Sequence, residues 1–291
     1  MTSIICWRNQ EETDGIWAVS DSRVSSGNSV MTDNCPKLFS ITANTFESTY
    51  YLKSNRKHLF KFGFGFAGST LIGINVKEIL SVFVSNLSEI HYYDAPDYSF
   101  EEKLPSLMDV ARLSKKIGER YIQSIGVFFP NNAKCEFVIF GYCVKEKKYT
   151  SIKLSNSPQF PTEIEIEEVD ISNGSYLILG DKKDYIENKI EETKKKFEPY
   201  SLNWWRSPFI ALANVLREEG TGTIGGYLQF CKSTNFDTRL YNLTPHDKLD
   251  LQFVGFSLFS DIYLLGGFSI NGQGGMTIPG EDGWDFTKQS G

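Results

Sequence analysis

The chain has 291 residues, 41% of them hydrophobic, and a formal net charge of −6. That balance suits a sizeable core in one large domain, and the absence of a basic block or stripe excludes nucleic acid as an expected partner. The longest apolar runs fall far short of the roughly 20 residues a membrane helix needs, and "MTSIICWRNQEE" has neither the basic start nor the long apolar run of a signal peptide.

Residues 3–7 and 15–20 ("GIWAVS") read as two strands joined by a polar turn, so a strand is expected almost from the first residue. Strand-like runs follow at 37–42 ("KLFSIT") and 58–67 ("HLFKFGFGFA"). Between them, 43–57 is polar with one strand-like piece, "TYYLK", and reads as an elaborated hairpin or flap. The period then changes. Ile72, Val76, Ile79, Leu80, Phe83 and Leu87 fall on one helical face, and Val110, Leu113, Ile117 and Tyr121 do the same in the next helix. The acidic, aromatic stretch 88–104 between them is expected to be a loop.

Strands return at 135–143, 148–154, 163–169 and 175–179. Two more helices follow. One places Ile186, Ile190, Thr193 and Phe197 on a single face. The other is punctuated by Ser207 as N-cap, Pro208 at the first helical position and Gly220 at the stop. Strands near 223–232, 249–258 and 261–269 close the order, and a Gly-rich tail begins near Asn271. Strands with hairpin-like spacing and two helical pairs to cover two sheet faces predict an α+β fold, a four-layer αββα sandwich of two mainly antiparallel sheets. The reading is one domain over 1–270 with insertions near 43–57 and 88–104, followed by the tail at 271–291.

Five scattered cysteines offer neither a disulfide framework nor a metal knuckle, and His58, His91 and His246 sit at no ligand spacing. No metal or organic cofactor is expected, and the thiols are read as core residues in a reducing cytoplasm.

Three short pieces carry chemistry. Removal of Met1 would leave Thr2 with a free α-amino group beside its hydroxyl. An amine with an ordinary pKa of about 7.7–8.0 can take that hydroxyl's proton near neutral pH. Asp21 and Arg23 lie at the end of the second strand and Lys37 opens the third. A lysine at the floor of a site can lower an amine's pKa and hold an ionising hydroxyl, and an aspartate would keep the lysine charged and oriented. In "FGFAGST", Ala67, Gly68 and Ser69 end a strand and open a helix, where a backbone N–H can donate to an oxyanion. Taken singly, each piece also has an ordinary explanation: a common Met-Thr start, a surface Asp-Arg turn with a solvated lysine, and a glycine needed for a tight turn.

Taken together, Thr2, "DSR" at 21–23, "NCPKL" at 34–38 and "AGST" at 67–70 resemble the β-subunits of the proteasome and the related bacterial heat-shock peptidase, which are N-terminal-nucleophile hydrolases. The resemblance covers residues 2–80 and is carried afterwards by element order. It implies Thr2 as nucleophile and, through its amine, base; Lys37 tuning it; Asp21 oriented toward Lys37; and the Gly68 amide in an oxyanion hole. It implies a threonine peptidase acting on peptides or unfolded polypeptides, assembled as a ring-like homo-oligomer, with an unfoldase or adaptor as a further partner. Maturation would need only loss of Met1.

The sequence departs from that pattern in two places. Asp181, in "LGDKKDY", stands where a serine is expected, and it could accept a hydrogen bond from the Thr2 amine. "TGTIGG" puts Thr221 and Ile224 where an aspartate and a serine are expected ahead of a glycine pair. Two alternatives therefore stand beside the peptidase: a catalytically inactive subunit of an oligomeric assembly, and an amidase acting on a small molecule. "NWWRSPF" is read as core or interface, "EETKKKFE" as a solvated helix face, and "GGFSINGQGG" lacks the setting of a phosphate loop.

Overall fold

Alternation in "FKFGFGFAG" decides how the largest strand packs. Phe60, Phe62, Phe64 and Phe66 all face one apolar cluster, while the residues between them face the other way. A side chain at Gly63 would collide with the Phe140 ring, so the small residue there lets the neighbouring strand's aromatic ring lie across the backbone. The computed structural model describes residues 2–11, 14–27, 29–47, 55–89, 99–218, 222–245, 250–258, 264–270 and 274–284.

In chain order the elements are β1 (Ser3–Asn9), β2 (Gly15–Ser20), β3 (Val24–Ser26), β4 (Ser29–Thr32), β5 (Leu38–Glu47), β6 (Asn55–Gly68), α1 (Thr70–Val84), β7 (Leu87–Ser88), α2 (Phe100–Lys103) and α3 (Leu107–Gly126). They continue as β8 (Cys135–Cys143), β9 (Lys148–Asn156), β10 (Ile164–Glu168), β11 (Tyr176–Gly180), α4 (Lys183–Lys194), α5 (Leu202–Trp205) and α6 (Ser207–Arg217). The remainder is strand: β12 (Gln229–Ser233), β13 (Thr238–Pro245), β14 (Gln252–Phe253), β15 (Phe256–Ser257), β16 (Leu264–Leu265), β17 (Phe268–Ser269) and β18 (Gly275–Ile278).

The protein is α+β with several sheets. An eight-stranded sheet runs β11-β1-β2-β12-β13-β14-β15, with β18 beside β13, and a six-stranded sheet runs β10-β9-β8-β6-β5-β7. Pairing within both is antiparallel except for β5 with β7 and β13 with β18. Helices α1 and α3 pack on each other and on the six-stranded sheet; α4 and α6 pack on each other and on the eight-stranded one. The two sheets meet through Ile4, Cys6, Ala18, Leu38, Val138, Phe140 and Cys231. Strand β1 is covered on both faces: Ile4 and Cys6 face the other sheet, and Ile5 and Trp7 face the helices. Each fully buried aliphatic side chain of that size contributes about 1.5–3 kcal/mol. Burial on both sides explains why so short a strand so near the start of the chain is held.

Helix α1 begins at Ser69, whose hydroxyl accepts from the Ile72 amide, and buries Ile72, Val76, Leu80 and Val84. Helix α3 opens with a reciprocal capping box between Ser106 and Asp109. Several expectations change. Phe83 is half exposed, and Leu87 has left the helix for β7. Ser207 is no N-cap: α5, capped by Ser201, runs almost directly into α6, and the Ser207 hydroxyl donates to the Asn203 carbonyl. The expected stop at Gly220 lies outside the described residues. The region read as a flap is in its described parts a continuation of the β5–β6 ladder, out to Glu47 opposite Asn55. The strand expected near 223–232 begins only at Gln229, and β13 was not anticipated. Within 88–104, α2 forms at Phe100–Lys103. Inside the Gly-rich tail, Gly275–Ile278 adds to the sheet as β18. Among the described residues no helix is long and apolar enough to cross a membrane, and no group of three His, Cys, Asp or Glu side chains could hold a metal.

Candidate active site

The adjoining ends of β1, β2 and β5 bring the first chemistry-bearing residues together. Asp21 follows the last residue of β2, and Lys37 precedes β5. Both are fully buried, and the Lys37 Nζ donates to Asp21 Oδ1 at 2.9 Å and to the Arg23 carbonyl at 2.5 Å. The same Oδ1 accepts the Ser3 amide at 3.0 Å, so a single carboxylate oxygen links the lysine to the residue after Thr2. Oδ2 accepts the Arg23 amide at 3.2 Å and the Gly225 amide at 3.1 Å. Lys37 therefore points into the protein, toward the start of the chain.

Burial pushes the Asp21 carboxyl up from its ordinary value, opposed by the Lys37 charge and the hydrogen bonds. Burial pushes the Lys37 ammonium down, opposed by the Asp21 charge and hydrogen bond. The pair is thus held together by mutual attraction in a place that disfavours either charge alone.

Thr2 itself is 3% exposed. Its carbonyl accepts the Asp181 amide at 2.8 Å, and it lies on the wall of a cavity of about 1550 Å³. Gly68 and Asp181 line the same cavity, as do Cys35 and Ser69. Gly68 ends β6 with a φ of +91°, and the Ser69 amide donates to the Lys134 carbonyl at 2.8 Å, which swings the chain into α1 beside the cavity. Asp181 reaches Thr2 through its backbone amide. The five residues singled out from the sequence thus fall into one neighbourhood: Thr2, Gly68 and Asp181 on the cavity wall, with Asp21 and Lys37 behind Thr2.

Other residues of the site were not anticipated. Gln229, buried on β12, accepts the Lys37 amide at 2.9 Å and the Leu38 amide at 3.3 Å, and donates to the Cys35 carbonyl at 2.7 Å. It holds the backbone on both sides of the lysine. The Ser22 hydroxyl accepts from the Tyr227 amide at 2.7 Å and donates to the Asp33 carbonyl. Arg23 forms a two-pronged pair with Asp33 at 2.7 and 3.1 Å. Glu136 enters the cavity from β8 and bonds Gly180 and Lys183. Of the altered "TGTIGG" stretch, Ile224 is core, Gly225 supplies the amide to Asp21, and Thr221 lies outside the described residues.

No protein-family model matches the chain, and no curated protein does. Solved structures do. Anbu (ancestral β-subunit) from Yersinia bercovieri is 14% identical, with a TM-score of 0.53 over 82% of this chain and 86% of that one. The helical assembly of the Anbu complex from Pseudomonas aeruginosa is 15% identical, with a TM-score of 0.51 over 85% and 88%. Anbu from Hyphomicrobium sp. strain MC1 is 12% identical, with a TM-score of 0.51 over 87% of each chain. The fold is Anbu-like.

That finding corrects the resemblance drawn from the motifs. The similar structures named above are Anbu proteins, none of them the heat-shock peptidase, and no family model assigns the chain to the proteasome β-subunits or to the N-terminal-nucleophile hydrolases. The reason is physical. "DSR", "NCPKL" and "AGST" report strand ends and the buried pair they carry, features that a shared fold can demand. Motifs that short do not separate one branch built on that fold from another.

Proposed function

We propose that this chain is an Anbu-like β-type subunit that works in a homo-oligomeric assembly. The Anbu-like fold over more than four-fifths of the chain carries the proposal, and one of the similar structures is itself a helical assembly. The packing supports a four-layer αββα arrangement, with α1 and α3 outside one sheet, α4 and α6 outside the other, and a shared apolar seam between the sheets. Light scattering on the purified chain tests this. The expected particle contains several copies; a strict monomer at micromolar concentration overturns it.

A second reading, that the subunit is a threonine-type amide hydrolase, is favoured by one observation: the buried Lys37–Asp21 pair sits one residue from Thr2, beside a cavity. With Met1 removed, the Thr2 amine takes the hydroxyl proton as Oγ attacks the amide carbonyl carbon. The C–N bond then breaks, the leaving amine takes that proton, and an ester remains on Thr2. Water hydrolyses the ester and regenerates the hydroxyl. Lys37 supplies positive charge behind the nucleophile, and the chain turn at Gly68 is where an oxyanion would be held. A cavity of about 1550 Å³ has room for a peptide segment, which supports polypeptide over a small amide as substrate. A partner that unfolds or delivers substrate belongs to the same proposal. So does a cytoplasmic setting, which five buried free cysteines support.

Intact mass and a threonine-directed covalent inhibitor test the chemistry. Loss of Met1 and one adduct mapped to Thr2, abolished in Thr2→Ala, are expected. Retained Met1, or no adduct, leaves the non-catalytic subunit as the function.

A further inference from the structure

Gly180 is the last residue of β11 and lies opposite Ser3 in the pairing with β1. Its φ is +95°, and a Cβ there would sit 1.8 Å from the Thr2 carbonyl oxygen. The backbone at 180 and the backbone at Thr2 therefore touch with no room for a side chain. The next residue donates its amide to that same Thr2 oxygen at 2.8 Å. Whatever holds the 180–181 turn in place also holds Thr2.

The group that holds it comes from the opposite sheet. Glu136, on β8, lies across from Ala67 and Ser155 in the six-stranded sheet. Its Oε2 accepts the Gly180 amide at 2.7 Å, and its Oε1 accepts the Lys183 Nζ at 2.6 Å. Among the described residues β11 is the edge strand of its sheet, with no strand beyond it to pair with the Gly180 amide. A carboxylate there makes the stronger, charge-assisted bond. Lys183, in the first turn of α4, fixes the other oxygen, so the carboxylate is gripped from two sides.

We infer that Glu136 is a positioning residue for the amino-terminal threonine: it braces the Gly180–Asp181 turn across the gap between the sheets, and that turn in turn holds the Thr2 carbonyl. Glu136 touches no reacting atom. Its action is to fix the backbone from which the Thr2 hydroxyl and amine project. The inference rests on the reading of Thr2 as nucleophile for its chemical consequence, and on the hydrogen bonds alone for its structural one.

The test uses the full chain with Glu136→Ala and Glu136→Gln. Glutamine keeps an acceptor for the Gly180 amide and loses the charge; alanine loses both. In Glu136→Ala, amide exchange of Asp181 speeds up, and the rate constant for covalent labelling of Thr2 falls on the order of 10–100-fold. Glu136→Gln restores Asp181 protection and labels faster than the alanine variant. Normal exchange at Asp181 in a folded Glu136→Ala protein overturns the brace. If the unaltered chain carries no adduct on Thr2, the nucleophile reading fails, and the exchange experiment still decides whether Glu136 holds the turn. Gly180→Ala, which forces the strand away from Thr2, is expected to reproduce the alanine phenotype; labelling of Gly180→Ala at the unaltered rate counts against the inference.

Discussion

The cavity that contains Thr2 is flanked by two carboxylate–lysine pairs in contrasting surroundings. Lys37 and Asp21, behind Thr2, have side chains 1% and 0% exposed, and the carboxylate oxygens accept from the ammonium and from the Ser3, Arg23 and Gly225 amides. Glu136, on the wall, and its partner Lys183 are 22% and 39% exposed at a shorter separation of 2.6 Å. Distance alone would rank the wall pair as the stronger. Burial reverses the ranking, because taking a charge out of water costs several kcal/mol and leaves its partner indispensable. A solvated pair is screened and is worth about 0–1 kcal/mol. The buried pair is therefore poor evidence for stability: surrounding strands sustain an arrangement that apolar residues would fill at lower cost. The wall pair matters for where it holds the backbone.

The sharpest way to break this comparison is to remove one partner from each pair. Lys37→Met leaves the Asp21 carboxylate buried without its counter-charge, and a loss of about 3–5 kcal/mol is expected in urea unfolding. A loss below 1 kcal/mol would mean that Asp21 is held by its amides alone. Lys183→Met, read by the same unfolding curve, is expected to cost about 1 kcal/mol or less, since solvent replaces the lost ammonium.

The smallest effect tests a third pair at the same site. The hydrogen-bonded Arg23 guanidinium holds the Asp33 carboxyl below its ordinary value of 3.8. A depressed folded-state value makes the unfolded chain bind the proton first as pH falls. The Asp33 contribution is thus fully present above the unfolded value and is lost as pH drops through the lower folded one. Asp33→Asn should flatten the fall in stability below about pH 4 and leave the curve near neutrality with the same slope. An unchanged acid limb in urea titrations would show that solvent already screens the pair.

Several parts of the molecule were legible one residue at a time. Apolar residues at helical spacing marked α1, α3 and α4, and Asp21 and Lys37 could be singled out because they sit at the ends of recognisable strands. Strand β13, "TRLYNLTP", was not legible. Its polar residues interrupt the alternation, and its place is set by β12, β14 and β18, which pair with it. The β3–β4 hairpin, rich in serine, has no apolar pattern to read. Ser207 looked like a cap because local spacing cannot show that a short helix already occupies the preceding turn.

The amino-acid order by itself determined the α+β class and the strand that starts at Ser3, and it singled out a lysine and an aspartate at strand ends. Those features follow from periodicities of two and 3.6 residues and from strand-end chemistry, all of them local. Tertiary structure alone decided that Gln229 holds the backbone around Lys37, that Glu136 crosses between the sheets to Gly180, and that the fold is of the Anbu kind. Those contacts join residues distant in the chain, and which carboxylate or amide meets which backbone group is settled only when the two sheets pack face to face.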